Sequence, residues 1–97
     1  MRLFAVIRRR GAPWDGSKPL VEQAGWQPHA DFMTALHEEG FAFLAGPLEA
    51  DREALIICRA DSPEEVQRRL SGDPWTANGM LETVRISRWD LRLGSLD

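Results

Sequence analysis

At 97 residues, 43% of them apolar and 28% charged, the chain has the composition of one globular domain spanning residues 1–97, and disordered and collagen-like classes are excluded. A net charge of -3 leaves no basic surface for nucleic acid, and no RNP-like or zinc-finger spacing is present. The single cysteine, Cys58, has no partner for an internal disulfide, and the apolar run after Arg2 is too short for a signal-peptide core or a bilayer span, so a soluble, cytoplasmic protein without nucleic-acid or membrane partners is expected.

Taken in chain order, Leu3-Phe4-Ala5-Val6-Ile7 is an unbroken apolar run that reads as a strand buried on both faces. Arg8-Arg9-Arg10 closes it, either as a solvated charge run or as a positive strand end that attracts an anionic ligand. Residues 11–19 hold two glycines and two prolines and read as a mobile loop, in which Trp14 either packs on a neighbouring helix or closes over a cavity as a lid. A helical turn at residues 19–23 precedes a long helix, in which Trp26, Ala30, Met33 and Leu36 recur at helical spacing until Gly40. Pro28 fits only the first turn of that helix, so His29 lies near the N-terminus and near the core-facing stripe, as a hydrogen-bonded structural residue or as a catalyst. His37 falls in the last turn, where it suits the helix dipole.

Phe41-Ala42-Phe43-Leu44-Ala45, ended by Gly46-Pro47, and Leu55-Ile56-Ile57-Cys58 read as an antiparallel hairpin, with Cys58 as a small core hydrophobe. Ser62 as N-cap, Pro63 at the first position and Glu65 completing a capping box start a second helix that ends at Gly72, with Val66 and Leu70 facing inward. Gly72-Asp73-Pro74-Trp75 then reads as a connection. The residue before a proline is disfavoured in the α conformation, so Asp73 either merely stops the helix, with Trp75 stapling the turn to the core, or presents its carboxylate beside the indole as part of a site. In the final strand Val84 and Ile86 share a face, but Trp89, Leu91 and Leu93 lie on the opposite parity. A bulge or bend across Ser87-Arg88 is therefore expected, with the last apolar stretch leaving the parent sheet to cover a second surface.

The order strand, helix, strand, strand, helix, strand is the βαββαβ pattern of an α+β, ferredoxin-like fold, with a four-stranded antiparallel sheet and both helices on one face. Its internal runs are apolar at both parities, unlike those of a sheet with one face in water, so the other face needs a cover. A second copy of the chain, packed sheet to sheet in a homodimer, would supply it.

Trp26-Gln27-Pro28-His29-Ala30-Asp31-Phe32-Met33, followed by Gly40, Gly46-Pro47-Leu48, Asp73-Pro74-Trp75 and Trp89, resembles the YciI-like (YCII-related) family of dimeric α/β barrels over almost the whole chain. The resemblance implies two ferredoxin-like sheets face to face, and a pocket lined by a helix-borne histidine and the aspartate of an Asp-Pro-aromatic turn; the matching positions are His29 and Asp73. Substrate contacts are expected from Trp26, Trp75, Gly46, Arg8 and Trp14. The first functional reading is a lyase- or isomerase-type enzyme that needs no cofactor. In it His29 is the base and Asp73 its orienting carboxylate, acting on a small aromatic or carboxylated molecule. The positive end of the helix dipole favours the neutral imidazole, whereas a carboxylate within reach favours the imidazolium and fixes the tautomer. The second reading is a small-molecule-binding or sensory module in which the same residues only hold a ligand, and the third a purely structural dimer. No metal site is expected, because two histidines eight residues apart and one cysteine make no zinc-ligand spacing.

Overall fold

In the computed structural model, which describes residues 2–49 and 52–96, β1 (Arg2–Arg10), β2 (Ala42–Pro47), β3 (Glu53–Ala60) and β4 (Leu81–Trp89) form a four-stranded antiparallel sheet in the order β2-β3-β1-β4. Helix α1 (Trp26–Glu38) connects β1 to β2 and α2 (Pro63–Leu70) follows β3, so the arrangement is the expected α+β, ferredoxin-like one. A 3-10 turn, Leu20–Glu22, precedes α1.

Strand side chains alternate between faces, and the register shows which face each one takes. Phe4 and Val6 of β1 stand beside Cys58 and Ile56 of β3, under Leu36 of α1 and Val66 and Leu70 of α2, in one buried core. The same parity carries Arg8 inward, where it is only 2% exposed, while Arg9 points outward to Glu82. Arg8 therefore leaves the solvated run that its two neighbours suggested. Leu3, Ala5 and Ile7 face the other way, level with Arg59, Ile57 and Leu55 of β3 and with Trp89, Ser87 and Arg85 of β4. Leu44 pairs with Ile57 and is 56% exposed, so this second face is an apolar surface without a helix on it. Cys58 is fully buried and its thiol is pushed up to about 11 by desolvation, which makes it an inert core residue.

Helix α2 starts where its caps require. The Ser62 hydroxyl accepts from the Glu65 N–H at 3.1 Å, and the Glu65 carboxylate accepts from the Asp61 N–H at 2.7 Å, one residue earlier than in a strict capping box. Three expectations are corrected. First, the connection after Gly72 is the start of a further short helix, α3 (Pro74–Ala77), with Asp73 as N-cap and Pro74 in its first turn. Second, β1 and β4 stay paired through Leu3 and Trp89, and their register shift lies between Ile7 and Arg8, opposite Val84, rather than at Ser87-Arg88. Trp89 needs no break to change parity, because the face it joins, beside Leu3, is apolar too. Third, β2 continues through Gly46 to Pro47, since an edge strand tolerates a proline without a ladder N–H.

The loop after β1 is tied to the start of β4 by backbone. The Gly11 N–H donates to the Met80 carbonyl at 2.9 Å, and a Cβ on Gly11 would stand 1.8 Å from the Gly79 carbonyl oxygen, so only glycine lets the chains approach this closely.

Candidate functional site

Helix α1 enters the site through Gly25, which caps it in the left-handed region at φ 79°. A Cβ there would lie 3.0 Å from the indole nitrogen of Trp75, and that nitrogen donates to the Ala24 carbonyl at 2.9 Å. The start of α1 and the ring of Trp75 are thus locked together. One turn further on, His29 is 8% exposed and lies parallel to the Trp75 indole, with ring centroids 4.1 Å apart and planes at 10°. Trp26 borders both rings, at 5.8 Å from His29 and 5.9 Å from Trp75.

Asp73 is fully buried, and its carboxylate joins three elements. Oδ1 accepts the Trp75 N–H at 2.9 Å, which caps α3. His29 Nδ1 lies 2.9 Å from Oδ1 and 2.8 Å from Oδ2. Arg8 Nη1 donates to Oδ2 at 3.1 Å and to the Thr76 hydroxyl at 3.2 Å, while that hydroxyl donates to the Leu70 carbonyl at 3.0 Å. An ionised carboxylate only accepts, so Nδ1 of His29 carries a hydrogen and Nε2 is the basic nitrogen of the neutral ring. Among the described residues nothing hydrogen-bonds to Nε2.

The electrostatics of the cluster follow from burial. Desolvation alone would raise the pKa of Asp73, but hydrogen bonds from His29 and the Trp75 N–H, with the charge of His29 when its ring is protonated and that of Arg8, outweigh it and hold the carboxyl below the usual carboxylate range. Desolvation likewise lowers the pKa of the Arg8 guanidinium, against the opposing charge of Asp73; an arginine keeps its proton in either case. Asp73 and Arg8 are therefore an internal ion pair with His29 attached to its carboxylate.

A cavity of about 370 Å³ opens in front of this cluster, between the first half of α1, the loop after β1 and the ends of β1, β2 and β3. Of the residues expected from the sequence, His29, Trp26, Trp75, Gly46, Arg8 and Trp14 all border it. Asp73 does not, and stands behind His29 and Arg8. Trp14 meets Trp75 edge-on at 5.4 Å, with the Arg10 guanidinium 4.2 Å from its ring centre. Arg52 and Glu53 also reach the cavity wall, and nothing in their polar stretch of sequence marked them.

The largest omission of the sequence reading is Gln23, a buried amide, 3% exposed, at the end of the 3-10 turn. Its Nε2 donates to the carbonyls of Asp15 at 2.7 Å and Lys18 at 2.9 Å, and its Oε1 accepts the Asp15 N–H at 3.0 Å. The loop whose glycines suggested movement thus makes three hydrogen bonds to one side chain, through Asp15 and Lys18, next to Trp14 in the cavity wall. Among the described residues no group of His, Cys, Asp and Glu is arranged to hold a metal ion, and no helix is long and apolar enough to cross a membrane.

The model of the YCII-related domain family matches residues 15–90. Among solved structures, 5-chloro-2-hydroxyhydroquinone dehydrochlorinase from Burkholderia phenoliruptrix, in complex with 2,5-dihydroxybenzoquinone, is similar to the chain with a TM-score of 0.61 and 24% identity, over 95% of each chain. No curated protein matches the sequence significantly.

Proposed function

The chain belongs to the YCII-related domain family, and from that premise we propose that it is a small-molecule enzyme in which His29 and Asp73 carry out proton transfer without an organic cofactor or metal. One observation carries this reading: His29 is anchored through Nδ1 to a buried carboxylate, which leaves Nε2 unengaged on a ring that borders the cavity. A base held in one tautomer by a carboxylate loses no time or energy to ring rotation, and the carboxylate stabilises the imidazolium that forms.

On this reading Nε2 takes a proton from a carbon or hydroxyl of the substrate. The electron pair left behind forms a new double bond, either expelling a leaving group as an anion or accepting the proton back at another carbon. These are elimination and isomerisation respectively. Trp26, tilted 50° to the buried indole of Trp75, gives the cavity an apolar ring beside His29 that suits a planar, aromatic or carboxylated substrate, and the two indoles exclude water from the proton transfer. The similar dehydrochlorinase, whose complex holds 2,5-dihydroxybenzoquinone, a planar oxygenated ring, supports a substrate of that shape.

A thermal-shift and turnover screen of small aromatic acids, lactones and sugar acids against wild type and His29→Ala tests the assignment. The expected result is a compound that both proteins bind and only the wild type consumes. Compounds that bind the wild type and are never consumed, with equal affinity for His29→Ala, would replace the enzyme with a binding module.

The proposed functional unit is a homodimer. Leu3, Ala5, Ile7, Leu44 and Leu55 surround the buried Ile57 and give the uncovered sheet face an apolar patch, bordered by Arg59 and Arg85, of the kind that monomers rarely expose, and Trp89 extends it at the edge. Packing two such faces together removes both from water. Sedimentation at micromolar concentration should give a dimer, and a well-folded monomer there would overturn the proposal.

A further inference from the structure

Arg8 brings a guanidinium with five N–H donors into the interior, and its contacts are lopsided. Both hydrogens of Nη1 are used, on Asp73 Oδ2 at 3.1 Å and Thr76 Oγ1 at 3.2 Å. Nη2 meets only the thioether of Met33, a weak acceptor, at 4.0 Å, and Nε, although buried, has no partner among the described residues. The unsatisfied donors are therefore not scattered but share one edge of the plane. A buried charged donor left unpaired is costly, and the remedy for an Nε/Nη2 edge is two oxygens held side by side.

We propose that the Nε/Nη2 edge of Arg8 is a carboxylate-binding fork at the inner wall of the cavity. Arg8 and Met33 both line that cavity, and Met33, with three rotatable bonds, is the side chain that must swing aside for a carboxylate to reach the edge. The charge balance agrees. Asp73 neutralises Arg8 from the Nη1 side, so the resting cluster is stable, while a ligand carboxylate on the opposite edge stabilises the added positive charge once His29 takes a proton. A planar acid held at Arg8 has its ring in the cavity beside Trp26 and His29. The inference rests on reading the cavity as a small-molecule site and names the group by which the substrate is held.

The test uses benzoate and its neutral isostere benzamide, titrated into wild type, His29→Ala and Arg8→Lys by calorimetry, with the Arg8 Nε–H followed by NMR in wild type. Benzoate is expected to bind wild type about tenfold or more tightly than benzamide and to shift the Arg8 Nε–H downfield. That preference should survive in His29→Ala and vanish in Arg8→Lys, which keeps the charge but not the fork. Should Arg8→Lys fail to fold, the wild-type NMR signal decides. Equal affinities, no benzoate binding, a motionless Nε–H at saturation, or a preference lost with the imidazole would each overturn the fork. A preference retained in His29→Ala, together with turnover that ignores that substitution, would leave the fork standing and remove the acid-base reading.

Discussion

Asp73→Ala is expected to lower the unfolding free energy by about 3–5 kcal/mol, because it leaves the Arg8 guanidinium buried without its counter-charge. The loss is measurable as a shift of the urea midpoint with an unchanged slope. Three contacts disappear together: the ion pair with Arg8, the bond to His29 and the cap of α3, a cap alone being worth about 1 kcal/mol. They share one carboxylate and will not add independently. Against a typical domain stability of about 5–15 kcal/mol this is a large fraction, so Asp73 serves the fold whatever it does in the reaction. A destabilisation of only a few tenths of a kcal/mol would show that Arg8 finds another partner.

The same carboxylate predicts a pH dependence. Its pKa is lower in the fold than in the unfolded chain, where it is about 3.9, so the unfolded state binds more protons in the acid range and stability rises with pH there. The contribution is fully present above the unfolded value and is lost as the pH falls through the folded one. The gap in stability between wild type and Asp73→Asn should therefore be widest at neutral pH and shrink on acidification through the carboxylate range. A gap independent of pH would mean that Asp73 is not ionised in the fold.

For His29→Ala the expected effect is on turnover, a fall of about 10²–10⁴-fold, the usual worth of a positioned acid-base group. The fold should survive. The imidazole borders the cavity, so water can replace it on Asp73, and the bond it loses there is worth about 1.5–3 kcal/mol at most. Asp73→Asn gives the complementary result. An amide offers one acceptor where the carboxylate offered two, and its N–H directed at His29 favours the Nε2–H tautomer, which cannot act as a base toward the cavity. Nitrogen-15 NMR of His29 should show Nδ1–H in the wild type and a switch in the variant. The same tautomer in both proteins would remove Asp73 from the mechanism.

How much of this was legible depended on how local the signal was. The cap at Ser62 and Pro63 and the placement of Pro28 in the first turn of α1 are set by neighbours a few residues apart and stand where the spacing put them; the strand runs are found too, with β2 carried on to Pro47 and β3 extended at both ends. Helix α3 was missed because four residues make barely one turn and no hydrophobic period, although the sequence Asp-Pro at its start is an ordinary N-cap followed by proline. Arg8 was within reach: extending the alternation of Phe4 and Val6 by one step turns it inward, but a triplet of arginines reads as surface.

The sequence by itself determined the order of the four strands and the two longer helices, the two-faced apolar sheet and the presence of a histidine on the core side of α1, because propensity, capping and periodicity act over a turn or a strand pair. Only the tertiary structure decided the register shift opposite Val84, the Gln23 clamp under Trp14 and the meeting of Arg8, His29 and Asp73, whose members lie 44 and 65 residues apart. Resemblance had paired His29 with Asp73, but nothing in composition or spacing did so. A buried charge must be compensated by whatever the packing brings beside it, and that choice is made between elements rather than within them.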